Sequence, residues 1–380
     1  MDSDQICAAR VAYLVHDLGD AAVRRRIDLL AGEGIAVDVG GFRRRAEDRI
    51  DMRRANAIDL GGTRDGCLAQ RAMAVLRHLF VSRAVRSLCD DTGVILARNL
   101  EMLVLGWRVR GPGQRLVYEC LDIHRIMLGT GLVSRLMRWI ERRMLAHTDL
   151  VIVSSPAFAR HYFGARQGRT GRVLLVENKV PDERGALPAV IRLSDHSAPY
   201  VIGWFGMLRC RRTLKQLLLL ASQSAGRITV VIAGIPSPAE FGDFAEEISG
   251  HPGVRYLGPY RAEDIGRLYA EVDFVWAIDY FEEGFNSDWL LPNRLYEGLA
   301  RGVVPIALRN VETGRWLERN GVGLLIDDPL AQLPLRLNAL KRREFDRMQA
   351  AIAGLAKDVL YQTPQERRVI VQAILGPPNG

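Results

Sequence analysis

The 380-residue sequence has no run of about 18 consecutive apolar residues, which excludes a helix spanning a membrane. Cysteine is sparse and odd in number: Cys7, Cys67, Cys89, Cys120 and Cys210 are scattered, with no CxxC pair. A disulfide framework and a thiolate zinc site are therefore not expected. Lysine is nearly missing. Lys179, Lys215, Lys341 and Lys357 are the four present, and arginine supplies the remaining positive charge. No GxGxxG follows the first strand-like segment, and there is neither a Walker loop nor an HExxH, so the dinucleotide fingerprint, the P-loop and the zincin helix are excluded. Short repeats and low-complexity tracts are absent too. The opening "MDSDQICAARVAYLVHD" sets two acids before a short apolar run, the wrong layout for a signal peptide, so a cytoplasmic chain is expected.

What is present reads as a soluble globular protein, with 48% hydrophobic and 25% charged residues. Its length implies two domains. The net charge of +8 is lopsided: residues 1–190 hold 30 Lys+Arg against 22 Asp+Glu, and the remainder is neutral. An excess confined to one half points to an anionic partner for that half: a membrane surface, a phosphorylated carrier or nucleic acid. "FRRR" (42–45) and "MRR" (52–54) belong to this basic surface.

Strand-like and helix-like segments alternate. "RVAYLVH" (10–16), "IAVDVGGF" (35–42), "GVILARN" (93–99), "RLVYECLD" (115–122), "DLVIVSS" (149–155) and "VLLVEN" (173–178) read as buried strands, with helices between most of them. The rhythm breaks over 181–199, which is rich in proline and mixed charge and reads as a linker. It resumes with "YVIGWFG" (200–206), "ITVVIAG" (228–234), "VRYLGPY" (254–260), "DFVWAID" (273–279), "VVPIAL" (303–308) and "VGLLID" (322–327). The fold class is α/β, with two Rossmann-like doubly wound domains facing across a cleft. Residues 1–180 form the first domain and 200–360 the second. A last helix within 361–380, capped by Thr363 with Pro364 and Glu366 behind it, is able to cross back to the first domain. Ligands of such sheets bind at the carboxyl ends of the strands, so the loops there carry the candidate chemistry.

Four segments stand out. In "WLLPNRLYEGLARGVVPIAL" (289–308), Asn293 and Glu297 share a helix face, Leu295 and Leu299 share an apolar one, and Asp288 or Leu291 is positioned to cap a helix with Pro292 in its first turn. Such a glutamate can accept hydrogen bonds from ribose hydroxyls; the plain alternative is a solvated acid on an amphipathic helix. In "YVIGWFGMLRCRRTL" (200–214), a strand runs into Gly206, where a backbone can approach a phosphate, and Arg209, Arg211 and Arg212 can clamp it. In "VYECLDIHRIMLG" (117–129), Asp122 and His124 follow a strand end at once and can orient a hydroxyl or take its proton. In "HDLGDAAVRRR" (16–26), His16, Asp17, Asp20 and Arg24 occupy the first such loop, where a helix cap at Asp20 explains the pattern equally well.

"LLPNRLYEGLARGVVPIA" resembles the nucleotide-sugar-binding segment of GT-B glycosyltransferases, the retaining GT4-like group in particular. Together with "YLVHDLGDAAVRRR" and "WFGMLRCRRTL" it is most similar to glycosyltransferases of exopolysaccharide assembly, the succinoglycan type. The resemblance implies transfer of a sugar from a nucleotide diphosphate sugar to an acceptor hydroxyl, the acceptor being a saccharide on a polyprenyl diphosphate at the inner face of the cytoplasmic membrane. It implies Glu297 as the ribose ligand, with Asn293 and Arg294 near the phosphates, Gly206, Arg209 and Arg212 on the diphosphate, and His16, Asp17, Asp20 and Arg24 on the acceptor side. Asp122 and His124 would face the sugar. The GT4-like group carries two glutamates separated by seven residues; here Trp289 stands where the first belongs, and Glu283 lies fourteen residues before Glu297. Glu283 is thus the catalytic candidate, with Asn286 and Ser287 able to replace it at the sugar. No cofactor or metal is implied, since the DxD at Asp2–Asp4 lies at the extreme N-terminus. An epimerase acting on a nucleotide sugar shares this architecture, and a basic nucleic-acid-binding protein shares the charge; no aromatic stacking run or basic recognition helix supports the latter.

Finally, "LVSRLMRWIERRMLAH" (132–147) has Val133, Leu136, Met137, Ile140 and Met144 along one face and arginines elsewhere. The expectation is a helix packing that apolar face into the core; the alternative is a basic face leaning on anionic lipid headgroups, a reading kept for the first domain as a whole.

Overall fold

The computed structural model describes residues 9–43, 55–62, 83–169, 171–181 and 199–377. The chain divides into two compact units: Met1–Glu177 with Pro364–Gly380, and Asn178–Thr363. The segment read as a linker lies almost wholly outside the described residues, as do half of "FRRR" and all of "MRR" and the DxD.

The first unit is built on strands β1 (Arg10–Val15), β2 (Ala36–Arg43), β3 (Asn56–Gly62), β4 (Val94–Arg98), β5 (Arg115–Cys120), β6 (Leu150–Val153) and β7 (Val173–Leu175). They form one sheet in the order β3-β2-β1-β4-β5-β6-β7, and every pairing is parallel. Residues Val11 to Val15 are fully buried, which is why a central parallel strand reads as an unbroken apolar run. Helices α1 (Ala21–Gly32), α2 (Arg83–Asp90), α3 (Leu100–Val109) and α4 (Leu132–Leu145) connect or cover the strands. The C-terminal helix Pro364–Leu375 joins the same core through Ile370, Val371 and Ile374. Arg115 of β5 donates to the carbonyls of Ile374 (3.0 Å) and Ala373 (3.3 Å), satisfying acceptors that a helix end leaves open.

Two local expectations need correction. Strand β3 is absent from the sequence reading; it is an edge strand with Leu60 its single buried residue, so it carries almost no apolar signal. Helix α4 exists as expected, yet it is rolled away from the expected face, of which Met137, Ile140 and Met144 are half-buried. Val133 and Leu136 are exposed, while the helix buries Ser134, Glu141 and Leu145.

The second unit holds strands β9 (Tyr200–Leu208), β10 (Ile228–Pro236), β11 (Val254–Tyr256), β12 (Phe274–Trp276), β13 (Val304–Leu308) and β14 (Leu324–Ile326). The order β11-β10-β9-β12-β13-β14 is, counted within the unit, the 3-2-1-4-5-6 order of a doubly wound sheet. A separate parallel pair joins β8 (Val180–Pro181) to β15 (Tyr361–Gln362). Chain direction across the sheet reverses between β9 and β12, so the loops leaving these two strands flank the switch point. Helices α5 (Arg211–Gln223) and α6 (Asn293–Leu299) border it. Pro292 precedes α6 as its N-cap instead of lying in its first turn, because its extended backbone (ψ 149°) stops the helix from starting earlier. Leu295 and Leu299 point into the core as expected.

Candidate functional site

The loop after β9 passes through Gly206 (φ +114°) to Met207, Leu208 and Arg209. Cys210 then caps α5, its Sγ accepting from the Thr213 amide at 3.5 Å. Gly206 pairs in register with Gly234 of β10, which also has positive φ (+145°). A Cβ on Gly234 would lie 1.7 Å from the Gly206 carbonyl oxygen, whereas one on Gly206 would meet open space. The close approach of the two strands at Gly206 therefore depends on glycine at Gly234, and the positive φ of both positions favours glycine at each.

The loop after β12 brings Asp279 opposite Arg209. Asp279 Oδ1 accepts from the Phe281 amide (2.9 Å) and the Ser287 hydroxyl (2.8 Å), which fixes the carboxylate. Its Oδ2 faces two guanidinium groups, Arg209 Nη2 and Arg294 Nη2, each at 3.9 Å. At that separation neither is a direct hydrogen bond, and two positive charges share one negative charge. Arg294 also donates to the Ile278 carbonyl at 2.9 Å. Its Nε is buried with no partner, and so is the Oδ1 of neighbouring Asn293. Burial pulls the Arg294 pKa below the usual arginine range, with Asp279 opposing the shift. Trp204, Met207, Arg209, Cys210, Thr213, Ile278, Asp279 and Arg294 line a small concavity here. Its chemistry is that of a cationic pocket with an unused guanidinium donor, suited to a phosphate or diphosphate.

Glu297 lies one turn beyond Asn293 on α6 and is half-buried. Its Oε2 accepts from the Tyr269 hydroxyl at 3.3 Å. Burial, and then Glu297, raises the pKa of that phenol, and Arg294 is among the charges acting on it. The carboxylate and the paired guanidiniums thus belong to one electrostatic neighbourhood.

Other residues singled out in this unit sit as follows. Arg209 packs its guanidinium 4.7 Å from the Phe281 ring centre. Arg212 lies 4.0 Å over the Tyr280 ring and pairs with Glu283; both members of that ion pair are half exposed. Asn286 and Ser287 are buried, and Ser287 Oγ accepts from the Glu282 amide at 2.9 Å while holding Asp279. Asp279 itself, Tyr269 and Phe281 were not anticipated. The signal for Asp279 was available: it is the acid that directly follows the apolar strand "FVWAI".

In the first unit, Asp20 caps α1 (Ala22 amide, 2.8 Å) and its Oδ2 lies 2.9 Å from Arg98 Nη2. Asp17 is buried and accepts from the Gly19 amide at 3.0 Å, Arg24 is exposed and donates to the Gly19 carbonyl at 3.3 Å, and His16 is half-buried beside them. Arg98 continues inward to Glu119 Oε2 (3.4 Å), whose Oε1 receives Arg26 Nε at 2.7 Å and which also accepts from Tyr13. This buried network at the carboxyl ends of β1, β4 and β5 was not read from the sequence. Asp122 and His124 are exposed on the loop after β5, where His124 Nδ1 accepts from the Ile126 amide at 3.2 Å.

No model of a known protein family matches the chain. Over 328 residues it is 42% identical to the succinoglycan biosynthesis protein ExoL of Rhizobium meliloti, covering 84% of this chain and 81% of that protein. Its structure is similar to that of Anabaena HepE in complex with UDP and glucose (TM-score 0.63, 19% identity, 96% and 95% of the two chains). It is likewise similar to WaaG, a glycosyltransferase involved in lipopolysaccharide biosynthesis (TM-score 0.64, 14% identity, 97% and 100%). At these identities the structural likeness establishes the fold, which is that of GT-B glycosyltransferases.

Proposed function

The chain belongs to the family of the succinoglycan biosynthesis protein ExoL, and from that premise we propose that it is a glycosyltransferase of polysaccharide assembly, moving a sugar from a nucleotide diphosphate sugar to an acceptor hydroxyl. The bond from the sugar anomeric carbon to the diphosphate oxygen breaks, the acceptor oxygen takes its place, and the hydroxyl proton passes to a base. Negative charge then builds on the departing diphosphate. Arg209 and Arg294 neutralise it, with Gly206 giving the backbone close approach, and this is charge stabilisation by fixed guanidiniums in place of a metal ion. Glu297, braced by Tyr269, takes the ribose hydroxyls. Asp122 and His124 are the candidates for the acceptor proton, and the acceptor is a saccharide carried on a lipid diphosphate. Retention of anomeric configuration is the expected outcome, in keeping with the GT4-like motifs.

The observation that carries this reading is the pair of guanidiniums sharing Asp279, one of them with a partnerless Nε on Arg294. A buried donor left over beside a surplus of positive charge is costly unless an anion completes it. A thermal-shift panel of UDP, GDP, ADP and UMP tests it. UDP is the first to try, since HepE of the same fold was solved with it. One diphosphate should stabilise the protein clearly more than its monophosphate. Arg294→Met should weaken that ligand by roughly a hundredfold, and Glu297→Ala should remove most of the shift. Stabilisation that survives both substitutions defeats the assignment. Relationship to ExoL favours transfer over the epimerase and nucleic-acid readings; formation of an epimer from UDP-N-acetylglucosamine without acceptor would reverse that order.

A further inference from the structure

Helix α4 turns an apolar ridge outward. Leu132, Val133, Leu136 and Trp139 are 76%, 61%, 55% and 56% exposed, although a soluble helix would bury them. Leu132, Leu136 and Trp139 follow at i, i+4 and i+7, so they form one continuous outer ridge. The inner face explains why the helix cannot roll to hide it. Glu141, almost fully buried, accepts from Tyr118 (2.8 Å), Tyr162 and Gln167. Arg138 Nη1 donates to the carbonyls of Met127 (2.8 Å) and Gly129 (2.7 Å). Turning the leucines inward would strip a buried carboxylate of three donors, which costs more than the apolar ridge gains.

The ridge is framed by charge of one sign. Arg135 and Arg142 flank it, and Arg143 lies in line with it, its guanidinium 5.9 Å from the Trp139 ring centre. All three are exposed, and from Arg125 to Leu145 the one acid is Glu141, which is buried. A second copy meeting this face about a twofold axis would set arginines against arginines. A bilayer containing anionic lipid offers phosphates to the arginines and an acyl boundary to the leucines and the indole. Among the described residues no helix is long and apolar enough to cross a membrane, and at 14 residues α4 is about 21 Å long, fit to lie in the headgroup plane.

We propose that α4 is a membrane-surface docking helix, laying Leu132, Leu136 and Trp139 into the acyl boundary of an anionic bilayer while Arg135, Arg142 and Arg143 meet lipid phosphates. The inference uses no donor-site residue and stands without the donor reading; together with that reading, it brings the enzyme to the surface that displays a lipid-linked acceptor.

Vesicle flotation tests it, with phosphatidylcholine vesicles alone and with about one third phosphatidylglycerol. The full chain should float with the anionic vesicles, and binding should fall as salt rises. Leu136→Glu with Trp139→Glu should lower vesicle affinity by roughly tenfold or more, and Arg135→Gln with Arg142→Gln by about thirtyfold. Brominated lipid should quench tryptophan fluorescence in the native protein and much less in Trp139→Phe, a readout that survives if the charged variant fails to fold. Each variant should keep the native thermal response to UDP, so loss of docking and loss of the donor site are told apart. Flotation that is unchanged by both double substitutions, or equal on neutral vesicles, overturns the proposal. So does a concentration-dependent dimer that Trp139→Glu dissociates, which would assign the face to a second copy.

Discussion

Tyr269 donates its hydroxyl to Glu297 Oε2 across 3.3 Å while its ring stands edge-on to Phe205 of β9, with centres 5.1 Å apart. The strand that leads to Arg209 therefore also buttresses the residue that holds Glu297. This answers why an acid sits on a short helix flanked by core leucines: a buried phenol fixes its direction, while the half-exposed carboxylate keeps acceptor capacity for a ligand. Tyr269→Phe keeps the ring and deletes the bond. It should cost about 1 kcal/mol of stability and raise the dissociation constant for the nucleotide diphosphate several-fold by calorimetry, with Glu297→Ala raising it further. Equal affinities in wild type and Glu297→Ala would remove Glu297 from the site.

Asp279 supports a prediction with an unusual sign. Asp279→Asn preserves the acceptor that serves Phe281 and Ser287 but withdraws the charge that separates Arg209 from Arg294. The ligand-free protein should lose about 1–2 kcal/mol, because Asp279 and Arg294 are mostly screened from water. A diphosphate now replaces the missing charge, so its stabilising shift should grow relative to wild type. Differential scanning calorimetry with and without UDP measures both. A smaller shift in the variant would mean that Asp279 itself contacts the ligand.

Much of this was legible in the sequence, for reasons that also mark where legibility ends. Central strands such as β1 from Val11 on and β13 are buried on both faces, so those residues are apolar without interruption. Asn293 and Glu297 are four apart on a helix, and spacing alone puts them on one side. Spacing does not say which side meets the core. In α4 the apolar positions Val133, Leu136, Met137, Ile140 and Met144 read as the inner face, yet Val133 and Leu136 are exposed and the inner face turns on Glu141, held by Tyr118, Tyr162 and Gln167 from distant segments. Asp279 was missed because its role arises from three chain segments that only the folded sheet unites. Glu119, inside a strand that reads as apolar, needed Arg26 and Arg98 to explain it, and nothing local announces them.

The two facing glycines make a steric prediction. Gly234→Ala drives a methyl into the Gly206 carbonyl, 1.7 Å away, and no side-chain rotation relieves a backbone clash. Gly206→Ala meets no neighbour and suffers only from its φ of +114°. Urea unfolding should show roughly 1–3 kcal/mol lost for Gly206→Ala and a clearly larger loss, or an insoluble protein, for Gly234→Ala. Since the side of Gly206 on which a Cβ would stand is open, the added methyl of Gly206→Ala should also weaken the diphosphate more than its stability cost suggests.

The network around Glu119 predicts how stability varies with pH. Burial acts to raise the pKa of Glu119, but Arg26 and Arg98 outweigh it and hold the carboxyl below the usual glutamate value of 4.5. Asp20 behaves alike, burial being overcome first by Arg98, and ends below its usual 3.8. For an acid whose folded pKa is depressed, the unfolded chain binds more protons, so stability is fully present above the unfolded value and is lost as pH falls through the folded one. Stability of the wild type should therefore decline below about pH 4.5 as these two carboxylates are protonated. Arg98→Met takes a cation from both and leaves Glu119 buried with Arg26 alone, at a cost of about 3–5 kcal/mol near neutral pH. Burial then weighs more, the folded pKa values rise, and the variant should lose less stability than wild type over the same acid interval. Chemical unfolding at a series of pH values decides it: parallel curves for the two proteins would show that Arg98 does not hold these carboxylates ionised.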